Sequence, residues 1–135
     1  MLTKERKKRY QEKINLIEKR ISEIEEWTDE IEKKGDEKVK LACYKAFQEI
    51  AEAFFDLIAM KIKDLNKLVE DDYTNIDRLK NLNFLNEKEA RILKEVNGLR
   101  NRLVHKYNQL NDAVAQESIK NLLPFLNTLL EKFRK

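Results

Sequence analysis

The single histidine of this chain, His105, stands five residues after Arg100 in the run Asn97-Gly98-Leu99-Arg100-Asn101-Arg102-Leu103-Val104-His105-Lys106-Tyr107, and no other stretch concentrates polar side chains of a reactive type. An imidazole beside a guanidinium has a specific use against RNA. Near neutral pH an imidazole can take the proton of a ribose 2′-hydroxyl or return one to the leaving oxygen. The planar guanidinium fork neutralises the charge that builds on a phosphorane-like transition state. Neither step calls for a metal. The same residue types at the same spacing also occur as ordinary surface and capping groups on amphipathic helices, so spacing alone leaves both readings open.

Other constellations are missing. One His and one Cys, Cys43, cannot complete a His/Cys zinc site. The residue three before His105 is Arg102, not the Glu that a di-iron bundle uses. There is no Gly-rich phosphate loop. Neither a metal nor a cofactor is expected.

On a helix of about 100° per residue, Val96, Leu99 and Leu103 form an apolar stripe. Asn97, Asn101, His105 and Asn108 form a second stripe, polar but with few formal charges, and Arg100 falls between the two at the edge of a core. Solvated faces elsewhere in the chain are rich in Lys and Glu, as from Glu18 to Glu26. Asn is a poor helix former, so several of them here need a reason, such as a partly buried seam, a subunit interface or a ligand cleft. Arg100 and His105 sit about 140° apart around an ideal helix. Their tips converge either when the Arg side chain bends over Asn101 or when a second copy of the helix faces the first, which requires a dimer. Arg102 and Lys106 lie on the outer face, where weak phosphate contact is their only candidate role.

The elements that must hold this run are read from periodicity. Ile14, Ile17, Ile21, Ile24 and Ile31 predict a first helix, stopped by Gly35. Cys43, Phe47, Ile50, Phe54 and Leu57 form the stripe of a second helix from about Asp36 to about Val69, with Leu65 and Leu68 extending it and Ala42, Ala46, Ala51 and Ala53 widening its apolar face. Asp71-Asp72 breaks the pattern. Thr74 with Asp77 resembles the capping pair of a short helix bearing Ile76, Leu79 and Leu82. Asn86 with Glu89 is a stronger start signal for the helix that carries the polar run. A last helix bears Ile119, Leu122, Leu123, Leu126, Leu129, Leu130 and Phe133, with Pro124 expected to kink it. The expected fold is all-α: one domain over residues 1–135, an antiparallel bundle of four long helices plus a short one.

Composition agrees. The 135 residues include two Gly and one Pro, against 39% charged and 41% hydrophobic, which leaves little room for strands joined by tight turns or for disorder. No apolar run is long enough to span a membrane. The first ten residues are charged, unlike a signal peptide, and a lone cysteine fits a reducing cytosol, so a cytoplasmic protein is expected. The net charge is only +3, but it is unevenly spread. Residues 1–9 carry five Lys/Arg against one Glu, and residues 100–135 carry seven against three Asp/Glu, around an acidic middle. Two basic ends suit a local anionic partner as well as they suit a plain lysine-rich surface. The basic start, Lys4, Arg6, Lys7, Lys8 and Arg9, reads either as an RNA-steering arm or as a frayed solubilising terminus.

Arg100-Asn101-x-Leu103-Val104-His105-x-Tyr107, preceded by Gly98-Leu99, resembles the signature of the HepT-like branch of the HEPN superfamily. Lys45 to Glu49 with Glu52, Ala53 and Asp56 is similar to that family's second helix, and Asp72-Tyr73 with Leu79 and Leu82 to its middle segment, so the likeness covers roughly residues 36 to 135. The resemblance implies a dimerising, metal-independent ribonuclease toxin of a type VII toxin–antitoxin pair, with the active cleft where two subunits meet. It implies Arg100 and His105 as catalytic, Asn101 as positioning them, and Tyr107 as the tyrosine that a partner minimal nucleotidyltransferase adenylylates. Added nucleotide phosphates would put negative charge where an RNA phosphate must sit. Two other readings stand beside it. One is a non-catalytic helical binding subunit for such a nucleotidyltransferase. The other is an oligomerisation protein in which Asn97 and Asn101 fix the register of a dimer seam.

Overall fold

A computed structural model describes residues 2–105 and 110–134, the side chains of 30–34 excepted. Its elements are α1 (Lys4–Lys34), α2 (Glu37–Asp64), α3 (Asp72–Asn81), α4 (Glu87–His105) and α5 (Asp112–Phe133), four long helices and a short one, with no strand among the described residues.

Helices α1 and α2 form an antiparallel hairpin whose register is written in three cross-helix ion pairs: Arg6–Asp64, Lys13–Asp56 and Arg20–Glu49. Each step of seven residues along α1 meets a step of seven or eight back along α2, two helical turns per pair. Between these pairs Ile14, Ile17, Ile21 and Ile24 are buried against Phe47, Ile50, Phe54 and Leu57. Burial of each such side chain contributes about 1.5–3 kcal/mol. Ile31 lies outside the described side chains. The turn between the helices needs a left-handed residue, and Gly35 supplies it at φ +60°. Asp36 then caps α2 by accepting from the backbone N–H groups of Lys38 and Val39.

Helix α2 ends five residues before the sequence periodicity predicts. Asn66 turns left-handed at φ 60°, which closes the helix at Asp64 with Leu65 as its cap. Leu65 and Leu68 do not extend the core stripe; both are exposed. Of the four alanines, Ala46, Ala51 and Ala53 are buried, and Ala42 is half-buried. The start of α3 also differs. Asp71, not Thr74, is the N-cap and accepts from the Thr74 backbone at 2.8 Å, while Asp77 pairs with Lys94 of α4. Asp71-Asp72 therefore opens the short helix rather than merely breaking a pattern. Ile76 and Leu79 are buried, whereas Leu82 is an exposed C-cap.

Helix α4 begins as its sequence predicts. Asn86 Oδ1 accepts from the Glu89 backbone and Glu89 Oε1 accepts from the Asn86 backbone, each at 2.8 Å, a reciprocal capping box. Ile92, Leu93, Val96, Leu99 and Leu103 are all buried. Helix α5 runs through Pro124 as one element and buries all seven of its predicted apolar residues. Phe133 packs edge-on against Phe54 of α2 and against Phe84 just before α4, with ring centres 6.3 and 5.3 Å apart.

Three polar anchors pin the ends of the bundle. Asp64 accepts from Arg6 and, at 2.6 Å, from the buried Tyr10 hydroxyl. Asp112, the first residue of α5, accepts from Lys40 and Tyr44 of α2 at 2.7 Å each. Lys132 near the end of α5 donates to Glu89 and to the Phe84 carbonyl. The basic start is thus helix from Lys4 onward and held at Arg6, rather than a frayed terminus, and Arg6 is already committed to Asp64. Cys43 is buried in the core and Trp27 is half-buried against it.

Candidate active site

The last two turns of α4 hold the polar run, and they divide its residues much as the helical projection does. Asn97 is buried at 3% exposure, Asn101 and Arg100 are half-buried, and Arg102 and His105 are exposed. Lys106, Tyr107 and Asn108 lie outside the described residues.

Arg100 occupies the edge of the core. Its Nη1 donates to Asn101 Oδ1 at 3.0 Å, so the side chain does bend over its neighbour. Its Nη2 reaches Glu52 of α2 at 3.5 Å, the outer limit of a hydrogen bond. The buried Nε has no partner among the described residues, and neither has the buried Oδ1 of Asn97, one helical turn earlier. A donor of the guanidinium itself and an acceptor one turn away thus stand unpaired on the same helix among the described residues. Unmet buried polar groups are costly, and they concentrate where function demands them.

Two more carboxylates complete the surroundings. Asp72, the first residue of α3, is half-buried; burial pushes its carboxyl up, the Arg100 charge pulls it down, and Asp71 and Asp56 add to the push. Asp56 sits one turn after Glu52 on α2 and is bound to Lys13 at 2.8 Å. Glu52 of α2 and Asp72 of α3 therefore place negative charge beside one guanidinium, both from positions far from it in the chain, while Asp56 acts on Asp72. Among the described residues no three His, Cys, Asp or Glu side chains converge as a metal cage.

The structure brings Arg100 and Asn101 together and leaves His105 exposed at the last residue of α4, displaced around the helix from Arg100 by about 140°. Asn97 cannot fix the register of a dimer seam, as it is buried within its own protomer. Sequence reasoning assigns no role of their own to Glu52, Asp56 and Asp72. The signal for the first two is present: they are the only charged residues between Ile50 and Met60, at four-residue spacing inside an apolar run.

The ribonuclease HepT-like family model matches residues 11–133. The chain belongs to the ribonuclease HepT-like family. The match takes in α1 from Gln11 onward, so the first helix is part of the family's domain, although the likeness in sequence is visible only from about residue 36. A candidate RNase of Archaeoglobus fulgidus is 37% identical over 117 residues, covering 87% of this chain and 85% of that one. A candidate RNase of Methanocaldococcus jannaschii is 42% identical over 67 residues, half of this chain and 77% of its own. Among solved structures, a toxin–antitoxin complex with AMP-PNP superposes with a TM-score of 0.85 over 93% of this chain and 97% of its own, at 20% identity. A tri-AMPylated HEPN toxin of Shewanella oneidensis in complex with an MNT antitoxin gives 0.84 over 92% and 95%, also at 20% identity. At that identity these likenesses establish the HepT-like fold. No described helix is long and apolar enough to cross a membrane.

Proposed function

We propose that this HepT-like protein is a metal-independent endoribonuclease, the toxin of a toxin–antitoxin pair. The observation that carries the reading is the Arg100 guanidinium, half-buried and held by Asn101 on the same helical turns that expose His105. His105 takes the proton of a ribose 2′-hydroxyl; the 2′-oxygen attacks phosphorus, the bond to the 5′-oxygen breaks, and the imidazolium returns its proton to that oxygen as it leaves. The products are a 2′,3′-cyclic phosphate and a 5′-hydroxyl. Arg100 neutralises the charge on the equatorial oxygens. Its contact with Glu52 is long, so a phosphate displaces that carboxylate at little cost, while Asn101 keeps the fork oriented. The wide angle between Arg100 and His105 on one helix supports a cleft built by two copies of the chain, each presenting the end of its α4 to the other.

Regulation follows from Tyr107, two residues after His105. A nucleotidyltransferase partner that adenylylates this tyrosine adds phosphates beside the cleft, where they repel RNA. The tri-AMPylated state of the Shewanella toxin supports this reading, as does the Arg100-to-Tyr107 string. Arg102 and Lys106 aid contact with RNA phosphates weakly. One observation favours the non-catalytic binding subunit instead: two carboxylates near Arg100, Glu52 and Asp72, diminish its pull on a phosphate.

The experiment that separates the two readings is cleavage of RNA by unmodified protein in EDTA. The nuclease reading expects cleavage, and expects Arg100→Ala and His105→Ala each to abolish it with the helical content intact. It is overturned when both variants cut like the parent, or when the parent binds its nucleotidyltransferase and cuts nothing. Intact mass after co-expression with that partner locates added adenylate at Tyr107 or refutes the regulatory half.

A further inference from the structure

A groove of about 700 Å³ runs between α4 and α5. Its floor is one side of α4, where Lys88, Arg91, Glu95, Gly98 and Arg102 recur at alternating three- and four-residue spacing. That alternation keeps residues on a single helix face. The next step of three reaches His105. From Lys88 to Arg102 the stripe covers about 21 Å at 1.5 Å per residue, so the groove is an elongated track whose α4 lining stops one turn short of the histidine.

The lining is cationic and aromatic together. Lys88, Arg91, Lys94 and Arg102 face a single acid, Glu95. Lys94 is bound to Asp77, but Arg91 and Arg102 enter no ion pair with the described residues. Two rings stand exposed over the track, Phe125 of α5 at 43% and Tyr73 of α3 at 44%. The Lys88 ammonium lies 4.9 Å from the centre of the Phe125 ring. An exposed Phe gains nothing from water, and beside unpaired guanidinium groups it forms a stacking platform flanked by phosphate ligands. Gly98 keeps the floor low between them: a Cβ there would rest 3.6 Å from Arg102 and 3.9 Å from the Tyr73 hydroxyl.

We infer that this groove binds single-stranded RNA next to the scissile phosphate, with unpaired bases stacked on Phe125 and Tyr73 and phosphates on Arg91 and Arg102. Single strands offer the ring faces that a duplex hides, and sequence-tolerant stacking between cations is how proteins hold them. The inference rests on the nuclease reading for the identity of its ligand, and it adds the path by which the strand approaches His105.

The probe is a short, labelled 2′-O-methyl oligoribonucleotide, whose blocked nucleophile prevents cleavage, titrated with the full, unmodified chain by fluorescence anisotropy at several salt concentrations. Phe125→Ala should weaken binding about 5- to 150-fold, the range for removal of one stacking partner. The pair Arg91→Gln with Arg102→Gln should flatten the dependence of log K on log salt by about 1.4, or about 0.7 for each phosphate deprived of its cation. Lys19→Gln, an exposed cation on α1, should leave both unchanged, and the same sequence as a duplex should bind more weakly than the single strand. All the altered side chains are exposed, and circular dichroism checks the fold.

Parent-like affinity and salt slope in both groove variants overturn the inference, as does loss of nucleotidyltransferase capture with RNA binding intact, which would make the groove a protein-docking surface. The two proposals fail separately. Groove binding by a protein that leaves cleavable RNA whole refutes the nuclease alone; cleavage by the parent with parent-like binding in the groove variants refutes the groove alone.

Discussion

Replacing Arg100 with lysine separates charge from geometry at the candidate site. The substitution keeps one positive charge but removes the planar fork and the buried Nε. For stability the effects nearly cancel. The hydrogen bond to Asn101 at 3.0 Å contributes about 0.5–1.5 kcal/mol. The contact to the half-exposed Glu52 at 3.5 Å contributes about 0–1 kcal/mol. Against them stands relief of the unpaired buried Nε, which costs about 1–3 kcal/mol in the parent. Mid-range values, about 1.5 kcal/mol lost against about 2 kcal/mol regained, leave a net change of about 0.5 kcal/mol, so the melting temperature moves by about 2–3 °C. Catalysis has no such offset. Loss of one donor aimed at a developing oxyanion slows a reaction about 10²–10³-fold. The assay pairs single-turnover cleavage of a labelled RNA in EDTA with a thermal melt of the same preparation. Arg100→Lys protein that cuts within tenfold of the parent would show that the fork geometry is irrelevant. A rate loss accompanied by a collapse in melting temperature would refute the argument equally, since the residue would then be holding the fold.

Gly98 lies inside α4 with only ordinary van der Waals contacts awaiting a Cβ, so Gly98→Ala should stabilise the protein by about 0.5–1 kcal/mol, read as a rise in denaturation midpoint. Asn97→Leu removes an unpaired buried acceptor and keeps the side chain's branching; it should be neutral or stabilising by about 1 kcal/mol in urea titration, and marked destabilisation would mean that the amide has a partner in solution. Stability should fall at both ends of the pH scale. Burial alone would raise the Asp64 carboxyl, but the hydrogen bonds from Arg6 and Tyr10 outweigh it, and Lys40 and Tyr44 likewise hold Asp112 low. Folded values below the unfolded one of about 3.9 give stability that is present above that pH and lost as pH falls through them. Tyr10 and Tyr44 are pushed up, chiefly by burial and then by the carboxylates they bond, so their contribution is complete below about pH 10 and is lost as pH rises further. Thermal melts across pH should show both limbs, and Asp64→Asn should make the acid limb shallower.

Local signals in the sequence hold wherever one stretch of chain decides the outcome. The Asn86–Glu89 box, the Gly35 stop and the isoleucine ladder of α1 depend on near neighbours alone, and each is present as expected. The end of α2 is not legible in this way. Leu65 and Leu68 continue the helical spacing by composition, while the left-handed turn at Asn66 ends the helix and leaves both in solvent. At the candidate site, the bend of Arg100 over Asn101 is legible because the two residues are adjacent. The approach of Glu52, 48 residues away, and of Asp72 is not. Periodicity shows which face of a helix is wet, but not which acid on another element turns toward it.

The α2–α3 connection gives this arrangement a remote handle. Asn75 is buried at 2% and its amide both accepts from the Glu70 backbone at 2.8 Å and donates to the Glu70 carbonyl at 3.0 Å, clamping the loop just ahead of Asp71 and Asp72. Asp72 and Arg100 in turn feel each other's charge. On the proposed nuclease function, substitutions at Asn75, a buried side chain outside the candidate site, should therefore attenuate cleavage.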